Sequence, residues 1–223
     1  MSDEPTARAL GRVLLTGATG MVGSSVLAAL LEEESVTEVV SLGRRSSGRT
    51  HAKLTDISFT DFGNSASYTQ YLIGIDTVFH CLATYSARVS RETYSEVTVN
   101  WLINLVRACE ETVPEATFCL FSAQGARTDG GGMSFALKVK GEAETVLFAS
   151  HIKRKFAFRP GYIAPSERSR WKPLDYLFAP LHTLVPSIGV ASDELAQAMI
   201  RTVINNESSS AVLENTEMRA LLL

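Results

Sequence analysis

Apolar residues recur along this chain with two periods. Arg12 to Thr16 (RVLLT) is a short apolar run that stops at a glycine turn, the pattern of a buried strand. From Met21 to Glu33, Val22, Val26, Leu27, Leu30 and Leu31 return at steps that place them on one face, which predicts a helix. EVVSL (Glu38 to Leu42) reads as the second strand, followed by the polar loop GRRSSGRT, and a third short strand is expected around Lys53 to Ile57. A short helix is expected over Ser65 to Ile73, a strand over Thr77 to Ala83, and a long helix over Arg91 to Thr112, closed by Pro114. Val99, Leu102, Ile103, Val106 and Cys109 give that helix its core spacing. Thr117 to Ser122 is the fifth strand, about Ser134 to Ser150 a helix, and Lys155 to Pro160 the sixth strand. Pro165, Pro173, Pro180 and Pro186 then break the chain into short pieces, before a helix from Ser192 to about Asn205 and an edge strand over Ala211 to Glu214.

Strands alternating with helices of this length predict an α/β fold: a Rossmann-type, doubly wound parallel sheet. We expect a tail over residues 1–10 and one NAD(P)-binding domain over 11–223, with a small C-terminal substrate lobe at about 164–190. The net charge of -3 argues against nucleic acid as a partner, since phosphate backbones call for a basic face. The basic run Lys153-Arg154-Lys155 leads into an apolar segment and reads as a strand entrance. No segment approaches the ~18 apolar residues of a membrane span, and the start MSDEPTARAL is not a secretory signal. The expectation is a soluble cytoplasmic protein that does not enter the membrane. Cys81, Cys109 and Cys119 lack metal-ligand spacing, as do the four histidines, so buried free thiols and no metal are expected.

Sheets of this kind bind ligands outside the carboxyl ends of their strands. The first of those ends carries TGATGMVG, with Gly17, Gly20 and Gly23 between a strand and a helix. Gly17 permits the tight exit, Gly20 lets a phosphate approach the backbone, and Gly23 lets the helix pack close to the sheet. Backbone N–H groups near Gly20, Met21 and Val22, with Thr19 beside them, face the diphosphate at the positive end of the helix dipole. The second strand has no acid at its end for a ribose 2′-hydroxyl; Arg44 and Arg45 stand there instead. Two guanidinium groups suit a 2′-phosphate, which favours NADP over NAD.

The GxxGxxG spacing resembles the short-chain dehydrogenase/reductase superfamily. CLATYSA, FSAQGAR, FALKVKGEAE and FRPGYIAP follow in that family's order. Together with LGRRS they resemble its atypical NAD(P)H-binding branch, related to Tat-interacting reductase-like proteins. The resemblance runs from about Arg12 to Asn205. It implies that Leu82, Ala83 and Thr84 cover the nicotinamide side of the cofactor, that Pro160, Tyr162 and Ile163 line the site, and that Asp56, after the third strand, meets the adenine amino group. It further implies Ser122 as the serine that hydrogen-bonds a substrate carbonyl and Lys140 as the lysine that binds the nicotinamide ribose. The plainer readings are a turn residue for Ser122 and an exposed helix lysine for Lys140. Ala136 occupies the position of the proton-transferring tyrosine, and Phe135 and Leu137 are equally inert. A positioned acid gives ~10²–10⁴-fold, so its loss raises the barrier by about 3–5 kcal/mol. Tyr85 and Tyr162 follow strands four and six and are expected as pocket walls rather than substitute acids.

Three functions follow. The first is an NADP-dependent oxidoreductase moving hydride between nicotinamide and a small carbonyl or alcohol. The second is an NADPH-binding sensor or interaction protein without turnover. The third, an epimerase- or dehydratase-like enzyme acting on a nucleotide sugar, ranks last because so little chain is left for a substrate lobe. Trp171, Tyr176, Leu177, Phe178 and Leu181 are either pocket walls or core under a lid. The two long helices are candidates to pair subunits as a homodimer.

Overall fold

The structure, a computed structural model, describes residues 8–129, 134–165, 189–205 and 208–223. Strands β1 (Gly11–Thr16), β2 (Val36–Gly43), β3 (Leu54–Ser58), β4 (Thr77–His80), β5 (Thr117–Phe121), β6 (Arg154–Arg159) and β9 (Ser210–Glu214) form a sheet in the order β3-β2-β1-β4-β5-β6-β9. All neighbouring pairs are parallel. A second, two-stranded sheet pairs β7 (Tyr162–Ala164) with β8 (Gly189–Ala191). The helices are α1 (Met21–Glu32), α2 (Thr69–Leu72), α3 (Arg91–Ser95), α4 (Trp101–Thr112), α5 (Phe135–Ala149), α6 (Ser192–Asn205) and α7 (Asn215–Ala220). This is the expected Rossmann arrangement.

A parallel sheet is covered on both faces, so its central strands are mainly apolar. In β1, Val13 and Leu15 point into the core under α1 and α6, with Val26, Leu27, Leu30 and Met199. Leu14, between them, points to the opposite core, with Leu102, Val106, Phe118 and Leu147. Strand order reverses between β1 and β4, and this opens a crevice at their carboxyl ends.

Four departures from the sequence reading affect the site. The run TVFHCLA pairs only to His80 and, through Cys81 N, to Thr16 O at 3.1 Å; Leu82 and Ala83 have left the sheet. The helix expected over Arg91 to Thr112 is α3, a π-helical turn over Glu96–Asn100, and α4. Glu96 gathers that turn, accepting from Asn100 Nδ2 at 2.5 Å and Trp101 Nε1 at 3.1 Å. Asp56 is the middle residue of β3 instead of following it. Within the expected tail, Leu10 is fully buried and Arg8 N donates to Ile204 O at 3.2 Å.

The lobe residues 166–188, with Trp171, Tyr176, Leu177, Phe178 and Leu181, lie outside the described residues, as do residues 130–133 of the glycine-rich loop. No helix among the described residues is long and apolar enough to cross a membrane.

Candidate functional site

The glycine turn opens on the crevice. Gly17 has φ +81°, and a Cβ there would lie 2.6 Å from the Cys81 carbonyl carbon and oxygen. At Gly23 a Cβ would lie 2.1 Å from Gly17 O, so α1 sits directly on the turn. Gly20 differs: its only such neighbour within 4 Å is Gly17 O at 3.3 Å, and both it and Thr19 are exposed. Gly20 is also the N-cap of α1 and brings no side chain to the free N–H groups of Met21, Val22 and Gly23. A twelve-residue helix therefore starts with bare donors at an exposed, side-chain-free surface. That surface fits a diphosphate.

Leu82 and Thr84 are half-buried and Ala83 is exposed beside this turn. Arg44 and Arg45 follow β2, both exposed. Pro160 is buried after β6, and Tyr162 and Ile163 are half-buried in β7. Tyr85 is 57% exposed, with the Arg88 guanidinium 5.0 Å from its ring centre.

Deeper in, polar groups meet at the ends of β4, β5 and β6. Ser134 caps α5, its hydroxyl accepting from Leu137 N at 3.4 Å. Gly141 lets this helix lie against the chain after β5; a Cβ there would be 2.0 Å from Arg127 O. The contact brings Lys140 and Glu144, one turn apart on the inner face, to the end of β5. Lys140 Nζ donates to Phe121 O at 2.9 Å and sits 5.1 Å from the Phe121 ring centre. Burial pulls its pKa down to about 8, against the opposing pull of Cys81 and Glu144. Ala136, one turn earlier, is half-buried against the core.

Glu144 is fully buried and ion-paired. Arg159 grips it in bidentate fashion, Nη2 to Oε2 at 2.5 Å and Nε to Oε1 at 2.9 Å. The Ser122 hydroxyl also donates to Glu144 Oε1. A hydroxyl has one proton. With that proton on Glu144, Ser122 Oγ turns its lone pairs, and no donor, to any further group. Arg159 extends the chain of charges to Glu214 at 3.7 Å.

His80 lies next to this cluster, its Nδ1 2.9 Å from the Thr16 hydroxyl. Burial, reinforced by the Lys140 charge, pulls its pKa down to about 3, so the ring is neutral. Burial pushes the Cys81 thiol up to about 12.

The structure thus gathers the glycine turn, Leu82–Thr84, Ser122 and Lys140 at one end of the sheet, with Arg44 and Arg45 at the end of the adjoining β2. Asp56 engages the loop after β2 through Ser46 and Ser47. Sequence reasoning missed Glu144, Arg159 and His80. The available signal was an acid four residues after Lys140 on a face that Val139, Ala143 and Leu147 mark as buried. No group of His, Cys, Asp and Glu suited to a metal occurs among the described residues.

Strand order, glycine turn and crevice define a dinucleotide-binding Rossmann protein. Residues 13–129 match the NAD dependent epimerase/dehydratase family, and the chain belongs to it. It is 30% identical over 173 residues to the protein fmp52, mitochondrial, of Emericella nidulans, covering 74% of this chain and 72% of the relative. It is 24% identical over 215 residues to the protein HTATIP2 of Rattus norvegicus, covering 94% and 87%. That relative matches the Tat-interacting reductase-like branch expected from the motifs. MoeE5, solved in complex with UDP-glucose and NAD, superposes with a TM-score of 0.70 at 19% identity, covering 94% of this chain and 80% of that one. The expectation of a cytoplasmic location is corrected here: the Emericella relative and further Fmp52 relatives are named mitochondrial. Nothing in the composition or the motifs carried that signal.

Proposed function

We propose that this protein binds NADP(H) and acts as an oxidoreductase on a small carbonyl or alcohol, with weak proton transfer. The observation that carries the reading is the uncapped start of α1 at exposed Gly20, set in the crevice where strand order reverses. Met21, Val22 and Gly23 would offer backbone donors to the diphosphate, and Arg44 and Arg45 would take the 2′-phosphate. Lys140 would keep two N–H groups for ribose hydroxyls beyond the one given to Phe121 O. Bound there, the nicotinamide supplies or accepts the hydride. Ala136 cannot move a proton, so the chain lacks the donor a tyrosine would provide at that position. The net charge of -3 supports a small-molecule partner over nucleic acid.

NADPH is expected to raise the melting temperature of the apo protein more than NADH at equal concentration, because stabilisation by a ligand grows with the logarithm of its concentration over its Kd. Equal shifts would remove the role given to Arg44 and Arg45.

A second reading, an NADPH-binding protein without turnover, is favoured by the Ser122 proton, which is held by Glu144 and not offered to a carbonyl. Ala136→Tyr separates the two. If the surrounding geometry is that of a reductase, this variant gains at least ~10²-fold in NADPH-dependent reduction of a generic carbonyl such as 9,10-phenanthrenequinone. No gain, with NADPH still bound, would leave the second reading standing.

A further inference from the structure

The loop between β2 and β3 is folded around one carboxylate. Asp56 lies in the middle of β3, opposite Ser41 of β2. Its Oδ2 accepts from Ser46 Oγ at 2.8 Å, from Ser47 N at 2.7 Å and from Ser47 Oγ at 2.8 Å. The same hydroxyls accept in turn, Ser46 Oγ from Gly48 N at 3.1 Å and Ser47 Oγ from Arg49 N at 3.3 Å. Gly48, at φ +73°, makes the reversal. Residues 46–49 are thus tied, directly or through one hydroxyl, to a single side chain.

Three exposed guanidinium groups flank this knot: Arg44 and Arg45 before it, Arg49 at its end. None makes an ion pair among the described residues. Arg49 also lines a cavity of about 350 Å³ that runs along α1 from Met21 to Glu32 and includes Asp193. The loop therefore packs alongside α1.

Resting on the NADP reading above, we propose that Asp56 is a positioning residue for coenzyme selectivity. It holds the loop through Oδ2 so that Arg44, Arg45 and Arg49 together present a site for the 2′-phosphate. Three like charges within six residues repel one another and would spread an untethered loop. A carboxylate at the base of the loop opposes that repulsion and supplies the acceptor that fixes its shape. Burial pushes the Asp56 carboxyl up, but hydrogen bonds from Ser46 and Ser47 outweigh it, so the group stays ionised at neutral pH. A loop ordered before the ligand arrives avoids part of the ordering cost of binding. Arg49, absent from the sequence reading, becomes a third phosphate ligand.

Titration calorimetry with NADPH and NADH tests this, repeated with 2′,5′-ADP and 5′-AMP as nicotinamide-free probes. In the native protein NADPH binds more tightly than NADH. Asp56→Ala is expected to cut that preference about tenfold, the equivalent of one charge-assisted hydrogen bond, and to leave the NADH Kd within about twofold. Asp56→Asn, which keeps an acceptor oxygen but loses the charge, restores only part of the preference. Ser46→Ala/Ser47→Ala removes both hydroxyl donors, leaves the residue-47 N–H and spares the carboxylate; it lowers the preference in the same direction, and it carries the test if Asp56→Ala fails to fold. Arg49→Ala lowers NADPH affinity and leaves NADH alone. An equal loss for both coenzymes in Asp56→Ala would mean an adenine contact and overturn the proposal, as would an unchanged preference. No preference in the native protein would instead remove the NADP reading on which it rests.

Discussion

Glu144→Ala is expected to destabilise the protein by about 3–5 kcal/mol, the range for removing one partner of a buried ion pair. Three consequences add up. Arg159, with its side chain 18% exposed, loses both bidentate bonds and keeps only the 3.7 Å contact to Glu214. The buried Ser122 hydroxyl loses its acceptor. A cavity opens where a fully buried side chain stood. At this chain length the melting temperature should fall by about 10 °C. Glu144→Ala/Arg159→Met removes both charges and should recover much of the loss, since the greater penalty lies in a charge left alone. Equilibrium urea unfolding of both variants measures this. A single-variant loss below about 1 kcal/mol, the range of an exposed pair, would mean that water reaches Arg159 and that the ends of β5 and β6 are less closed than described.

The second large effect concerns acid. The His80 pKa is pulled down to about 3 in the folded protein, whereas an unfolded histidine titrates near ~6.5. Below that value the unfolded chain takes up a proton that the folded chain refuses. Stability is therefore complete above about pH 6.5 and falls by about 1.4 kcal/mol for each pH unit below it. Between pH 6.5 and 4.5 the loss amounts to about 2 kcal/mol. The carboxylates held low by their partners, Glu38, Asp56, Glu92 and Glu217, contribute mainly below this window, as their own protonation begins. His80→Gln, which can still bond the Thr16 hydroxyl, should flatten the pH 4.5–6.5 limb. Urea midpoints across that range check it, and an equally steep limb in the variant would place the proton elsewhere.

Much of this fold is written in periodicity. Val13, Leu14 and Leu15 alternate between two cores, and the stripe from Val22 to Leu31 is a helix face; both were readable without a structure. Hydropathy reports burial and not pairing, which is why CLA after His80 looked like more strand. The π-helical turn escaped notice because its buried Val97, Thr98 and Val99 leave the apolar pattern almost intact. Of the candidate site, the glycine turn was legible, since strand, glycines and helix are contiguous. The Glu144 network was not: its partners lie 15 and 22 residues away, and nothing local distinguishes an acid paired in the core from one facing water. Asp56 sits in mid-strand, and its bonds to Ser46 and Ser47 could not be read from the sequence, because they join β3 to a loop about ten residues earlier.

The burial of the thiols has a practical side. Cys81 lies under the glycine turn, Cys109 in α4 and Cys119 in β5, all three shielded. Burial pushes Cys81 and Cys109 up to about 12 and Cys119 well above its usual value. While the fold is closed, none carries the thiolate that maleimides or iodoacetamide attack. Each sulfur is consequently a silent clock, started only when its own stretch of backbone opens. The native sequence therefore comes with three reporters of breathing, one of them directly beneath the glycine turn.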